Sequence, residues 1–179
     1  MHMTPSIQSA LVVLVPEADA LVKPFRDQYD PSAAQGAPAH FTILVPFKPP
    51  QDLTASVIDT LRDIFAQVAP FTVALTEVRR FPQTLYLAPI PDQPLKHLTQ
   101  LVVDRFPEHP PYGGAFTEII PHLTIAHLDD PQRLTTIAAD FQRVAHDHLP
   151  LSIGVTEVVL LDNATGRWQV RTTFRLGTS

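Results

Sequence analysis

Two short stretches of this chain repeat each other: His40-Phe41-Thr42-Ile43 and His122-Leu123-Thr124-Ile125. The echo extends beyond them. Residues 69–81 (APFTVALTEVRRF) line up with 149–161 (LPLSIGVTEVVLL), and both contain Thr-Glu-Val. The two histidines stand 82 residues apart and the two triplets 80 apart. A nearly constant offset over separate motifs marks an internal duplication, and its period is too long for a solenoid repeat. After each His-x-Thr-Ile the pattern reads strand, helix, strand, turn, strand. The chain is therefore expected to be α+β, a bilobal pseudo-two-fold duplication. Two mainly antiparallel sheets would face a central cleft, with helices on the outer faces. The repeats cover approximately 40–90 and 122–176, and residues 1–179 are expected to form a single bilobal domain whose lobes can exchange strands.

The element pattern supports that frame. Apolar runs and alternation predict strands at 9–16, 40–47, 71–81, 84–90, 122–128, 151–162 and 167–176. Helical spacing predicts helices at 17–30, 52–69, 94–106 and 130–149. Pro24 is expected to break the first helix or start a new one. Asp92 and Asp130 are candidate caps, with Pro131 at a favourable first-turn position. Residues 31–39 and the Pro- and Gly-rich 107–121 read as loops.

Composition narrows the function classes. The 179 residues are 45% hydrophobic and 17% charged, which suits a soluble globular protein. The longest apolar run, 10–15, is strand-sized, so no membrane span is expected. The first eight residues show no basic region leading into an apolar stretch, hence no secretory signal. There are no cysteines, which excludes disulfides and thiolate metal sites and fits the cytoplasm. A net charge of −5 without a basic stripe argues against long duplex nucleic acid as partner. A small anion held by a few directed groups fits better.

Within a strand, residues two apart share a face. His40 and Thr42 therefore point one way, as do His122 and Thr124, away from the helix-covered apolar face. A two-fold would bring two imidazoles and two hydroxyls together. Imidazole titrates near pH 6.5, so one ring can accept a proton from an attacking water while the other donates to a leaving oxygen. The Thr hydroxyls can donate to the non-bridging oxygens of a phosphate between them. That chemistry requires no metal or other cofactor.

These motifs resemble those of the 2H phosphoesterase superfamily, which carries two H-x-[ST]-apolar motifs in a bilobal, pseudo-symmetric fold. The stretches HFTILVPF, TLYLAPIPDQPLKHLTQLV and FTEIIPHLTIAHL look like its bacterial RNA 2′,5′-ligase-like and cyclic phosphodiesterase branch, and the resemblance spans roughly residues 9–176. It implies that His40 and His122 are the acid–base pair and that Thr42 and Thr124 hold the phosphate. It implies a metal-independent hydrolysis of 2′,3′-cyclic phosphates on small nucleotides or RNA ends. The alternatives are reversible 2′,5′ RNA ligation and a non-catalytic nucleotide- or RNA-binding module. The partner would be a small nucleotide or an RNA terminus with a cyclic phosphate, and a monomer is expected.

Other residues rank lower. Phe47, Tyr86, Tyr112 and Phe116 are candidates for contacting a base or sugar. Lys48 reads better as a solvated charge. His127 lies five residues after His122, which puts the two on opposite faces of a regular strand and argues against a shared metal ion; it is expected to pack on the helix side or to lie at the strand end. His97, His109, His146 and His148 read as helix-surface or loop residues. The Thr-Glu-Val triplets read as structural echoes, with a carboxylate orienting a catalytic His as the alternative.

Overall fold

The computed structural model describes residues 6–116 and 118–177. Residues 1–5, part of the stretch read for a secretory signal, lie outside the described residues. The chain opens with β1 (Ser9–Leu14), α1 (Pro16–Tyr29) and a short α2 (Pro31–Ala34). The first motif forms β2 (His40–Leu44), followed by α3 (Ala55–Ala66), β3 (Phe71–Arg80) and β4 (Thr84–Ile90). Then come α4 (Gln93–Arg105), β5 (Leu123–His127), α5 (Pro131–Ala145), β6 (Leu151–Val155), β7 (Glu157–Asp162) and β8 (Gln169–Arg175).

The α+β class holds, but the two-sheet expectation is corrected. The strands form one antiparallel sheet in the order β6-β3-β4-β5-β2-β1-β7-β8. The two motif strands are neighbours in it, paired at Phe41 and Leu123. The predicted strand 151–162 is split: β6 pairs with β3, while β7 pairs with β1 on the other half. Only Thr156 separates β6 from β7. One residue spans at most about 3.6 Å, so the sheet must curl until its β6 edge comes close to β7. Thr76 marks the matching point in the first copy. There β3 pairs with β6 along Phe71–Leu75, and its pairing with β4 shifts register between Leu75 and Glu77. The Thr-Glu-Val repeat therefore marks two bends. Equivalent strands meet twice, β2 with β5 and β3 with β6, once on each side of the curl.

The helices cover one face. α1 lies against β5 and α4 against β2, so the helix before each motif backs the strand of the other. Phe41, Ile43, Leu44, Leu123, Ile125 and Ala126 are buried in the core on that side, together with Leu61, Phe65, Leu98 and Phe141. α5 begins as expected, with Asp130 accepting from Arg133 N at 3.0 Å and Pro131 in the first turn. Asp92 makes no side-chain cap; it pairs with Lys96 at 3.4 Å instead. α1 runs through Pro24 unbroken. Pro24 and Ala20 are both exposed, so the carbonyl deprived of its donor can be hydrated. Residues 31–34, expected as loop, form α2 because Asp30 caps them, accepting from Ser32 N at 3.0 Å.

Candidate active site

The pairing of Phe41 with Leu123 sets the geometry of the four motif side chains. In an antiparallel ladder the flanking residues are matched crosswise, so His40 falls opposite Thr124 and Thr42 opposite His122. Directly opposed residues share a face, with Cβ atoms about 4.5–5.5 Å apart, and diagonal neighbours lie about 7–8 Å apart. The two imidazoles thus occupy one diagonal of a small square and the two hydroxyls the other. Strand parity places all four on one side, because Phe41 and Leu123 between them are fully buried among the helices.

Both rings are anchored in the same way. His40 Nδ1 donates to Pro38 O at 2.6 Å, and His122 Nδ1 donates to Ile120 O at 2.8 Å. A carbonyl can only accept, so Nδ1 carries the proton and Nε2 is left for another partner. No carboxylate orients the rings through Nδ1. Glu77 instead accepts from Arg79 at 2.9 and 3.0 Å and faces solvent.

Burial pushes the pKa of both rings below the ordinary imidazole value. For His40 the Pro38 carbonyl and Asp30 resist the shift, while Arg26 and His122 add to it. For His122 the Ile120 carbonyl and Asp30 resist, and His127 adds to it. The His122 ring sits in an aromatic corner. Phe81 meets it edge-on with centroids 5.3 Å apart, and Tyr86 lies at 5.5 Å. Phe81 and Tyr86 stack on each other at 4.4 Å.

A cavity of about 630 Å3 opens beside His122 and Thr124. Its wall includes Phe81, Thr84, Tyr112, Phe116, Ile120 and His127. Of the weaker candidates, Tyr112 and Phe116 are therefore at the site, their rings edge to face at 5.6 Å. Tyr112 comes close enough to Thr42 for that hydroxyl to oppose part of the shift that burial gives the phenol. Burial raises the Tyr112 pKa. Tyr86 adjoins the site but is only 4% exposed, lying beneath Phe81 and against Thr124 in the ladder. Phe47 is a correction. It is 2% exposed and packs edge-on against Phe106 at 5.2 Å, on the helix side of the sheet. Lys48 is not a free charge; it pairs with Glu108 at 3.1 Å. His97, His146 and His148 are exposed, as expected, and His109 packs in a loop beside Phe47.

His127 ends β5, one of the two places expected for it, but it lies on the motif face rather than the opposite one. The β4–β5 register steps from Leu85–Ala126 to Tyr86–Thr124, leaving Ile125 as an extra residue. The β1–β2 register steps from Leu11–Leu44 to Val12–Thr42, leaving Ile43 extra in the same place. A bulge advances the alternation by one. Ile125 and Ala126 both point into the helix-side core, as do Ile43 and Leu44. The next residue in each copy returns to the motif face. Val45 joins an apolar cluster with Val12 and Leu161, whereas His127 lines the cavity, with Nδ1 2.8 Å from Thr84 Oγ1. Nothing in the local letters signals the bulge, since Ile-Leu and Ile-Ala fit a regular strand equally well. Phe81, Thr84, Ile120 and Asp30 also escaped the sequence reading, because each reaches the site from a different element. Among the described residues no group of three or more His, Asp or Glu side chains could hold a metal ion. No helix among them is long and apolar enough to cross a membrane.

Comparison with known proteins agrees with this geometry. The chain is similar to a Bacillus licheniformis protein whose name suggests a phosphoesterase, 28% identical over 93% of this chain and 97% of that one. A similarly named Bacillus cereus protein is 26% identical over 85% and 86%. Among solved structures, E. coli LigT complexed with 3′-AMP superposes with a TM-score of 0.59 at 16% identity, over 97% of this chain and all of that one. TT0787 of Thermus thermophilus superposes equally well, with a TM-score of 0.59 at 16% identity over 96% and 99%. At such identities these structures speak for the fold. The family model of the 2′-5′ RNA ligase superfamily matches residues 14–167, and with two pinned His-x-Thr motifs side by side in one sheet the chain belongs to that superfamily of 2H phosphoesterases.

Proposed function

We propose that the protein hydrolyses 2′,3′-cyclic phosphates of small nucleotides or RNA ends by acid–base catalysis with His40 and His122, without a metal. The observation that carries this reading is the crosswise register of the two motif strands. A phosphate between the imidazoles would have Nε2 groups on opposite sides. One neutral ring takes a proton from water as its oxygen bonds to phosphorus. The protonated ring opposite gives a proton to the ring oxygen as its bond to phosphorus breaks, and a monoester leaves. Each such role is worth about 10²–10⁴-fold in rate. Thr42 and Thr124 would donate to the non-bridging oxygens as charge builds there. LigT was crystallised with 3′-AMP, ATP and NADP+, which supports a nucleotide ligand for a chain of the same fold.

The same attack on the cyclic phosphate by a nucleotide 5′-hydroxyl in place of water, with the bond to the 3′-oxygen breaking and that oxygen protonated, is 2′,5′ ligation; the name of the family favours it as the second reading. Incubating the protein with 2′,3′-cyclic mononucleotides in EDTA tests the proposal. Monoester release is expected. Tight binding without release would instead support a non-catalytic module, and loss of activity on chelation would argue for a metal.

A further inference from the structure

The duplication predicts a symmetric pocket, yet the cavity belongs to one half only. On the β1–β7 side the motif face is filled by Ala10, Val12, Val159 and Leu161, with Val45 and Trp168 packed on them. On the β4–β5 side the equivalent space is open and bounded by Phe81, Pro82, Ile119 and Ile120. Whatever is attached to a phosphate at the motif square must therefore extend past His122.

The charges facing that space are of one sign. Asp30 and Glu118 line it, and no lysine or arginine does among the described residues. Arg26 is 3% exposed and neutralises Asp30 itself, so Glu118, which is exposed, is the acidic group left to face the space. The Arg26 Nε donates to Asp30 at 3.0 Å, and its Nη2 donates to Ala37 O at 2.9 Å and Ser32 Oγ at 3.3 Å. The whole chain carries −5. A cavity of this volume is on the order of 10 Å across, about one Debye length at 0.1 M salt, so a second anion inside it would feel Glu118 with incomplete screening and meet no lysine or arginine among the described lining residues.

We propose that the site takes esters of a single phosphate whose remaining part is flat and uncharged, such as a nucleoside, and turns away the same compound bearing a further phosphate, which narrows the substrates named above to small nucleotides rather than RNA ends. This rests on the motif square being the phosphate site, as proposed above. It adds that the square supplies all the anion recognition there is and the rest of the cavity supplies apolar contact.

The test compares binding of adenosine 3′-monophosphate and adenosine 3′,5′-bisphosphate by calorimetry at low ionic strength. The bisphosphate should bind more weakly by about tenfold, a gap that shrinks in high salt. Glu118→Gln should narrow the ratio and Gln83→Lys, which adds a cation to the wall, should close or reverse it. Equal or tighter binding of the bisphosphate to the unmodified protein overturns the proposal, as does no measurable binding of either. Turnover of 2′,3′-cyclic AMP is followed in parallel. Selective binding without turnover sinks the hydrolase reading and leaves the selectivity standing; turnover without selectivity does the reverse.

Discussion

At the scale of single residues, the site depends on how two imidazoles are held. Each gives its Nδ1 proton to a carbonyl two positions upstream, which fixes the ring and frees Nε2. Under the proposed mechanism, replacing either His40 or His122 with Ala removes one proton-transfer partner, so kcat should drop by at least about 10²-fold in each case. Full activity in either variant would refute the paired mechanism. His127→Ala touches the cavity rather than the square, and steady-state kinetics should show a raised KM with kcat changed by only a few-fold. Burial lowers both imidazoles, so under the proposed mechanism the acid of the free protein is protonated only at comparatively low pH. The optimum of kcat/KM against pH is accordingly expected below the ordinary imidazole value of about 6.5. A profile centred above pH 7.5 would contradict it.

At the scale of elements, a one-residue bulge decides which side chains join the site. It sits just past the threonine in both copies, yet it delivers Val45 to an apolar cluster in one and His127 to the cavity in the other. The buried Arg26–Asp30 pair ties the end of α1 to α2 and sets one edge of the cavity. Asp30→Ala would leave the guanidinium buried and unpaired, so urea unfolding should show a loss of about 3–5 kcal/mol. Asp130→Ala removes only the cap of α5 and should cost about 1 kcal/mol. If the two variants lost equal stability, the buried pair would not have the structural weight assigned to it.

At the scale of the whole molecule, one curled sheet replaces two facing ones, and its two self-pairings bring the repeats together. Stability should follow the protonation of the two buried imidazoles. Their folded pKa values lie below the unfolded value, so between the two the unfolded chain binds more protons. Their contribution is fully present above about pH 6.5 and is lost as pH falls toward the folded values. Thermal melts from pH 7.5 to 5.5 should therefore show a falling Tm, and His40→Ala/His122→Ala should flatten the slope. A nucleoside monophosphate that binds only the folded protein should raise Tm at every pH, by an amount that grows with its concentration.

The letters by themselves settled the duplication, the strand parity of His40, Thr42, His122 and Thr124, and the helices that cover the opposite face. Those are local matters: alternation of two, spacing near 3.6, and a repeated phrase. Only the tertiary structure decided that the motif strands pair directly, that 151–162 divides between two parts of the sheet, and that His127, though exposed, reaches the cavity wall while Phe47 turns away. Strand pairing and bulges depend on which backbone groups meet across long stretches of chain, and the residues at Ile43 and Ile125 would sit as comfortably in a regular strand. The one-sided cavity is likewise a packing outcome, because nearly symmetric copies fill one half with Val45 and Leu161 and leave the other open beside His122.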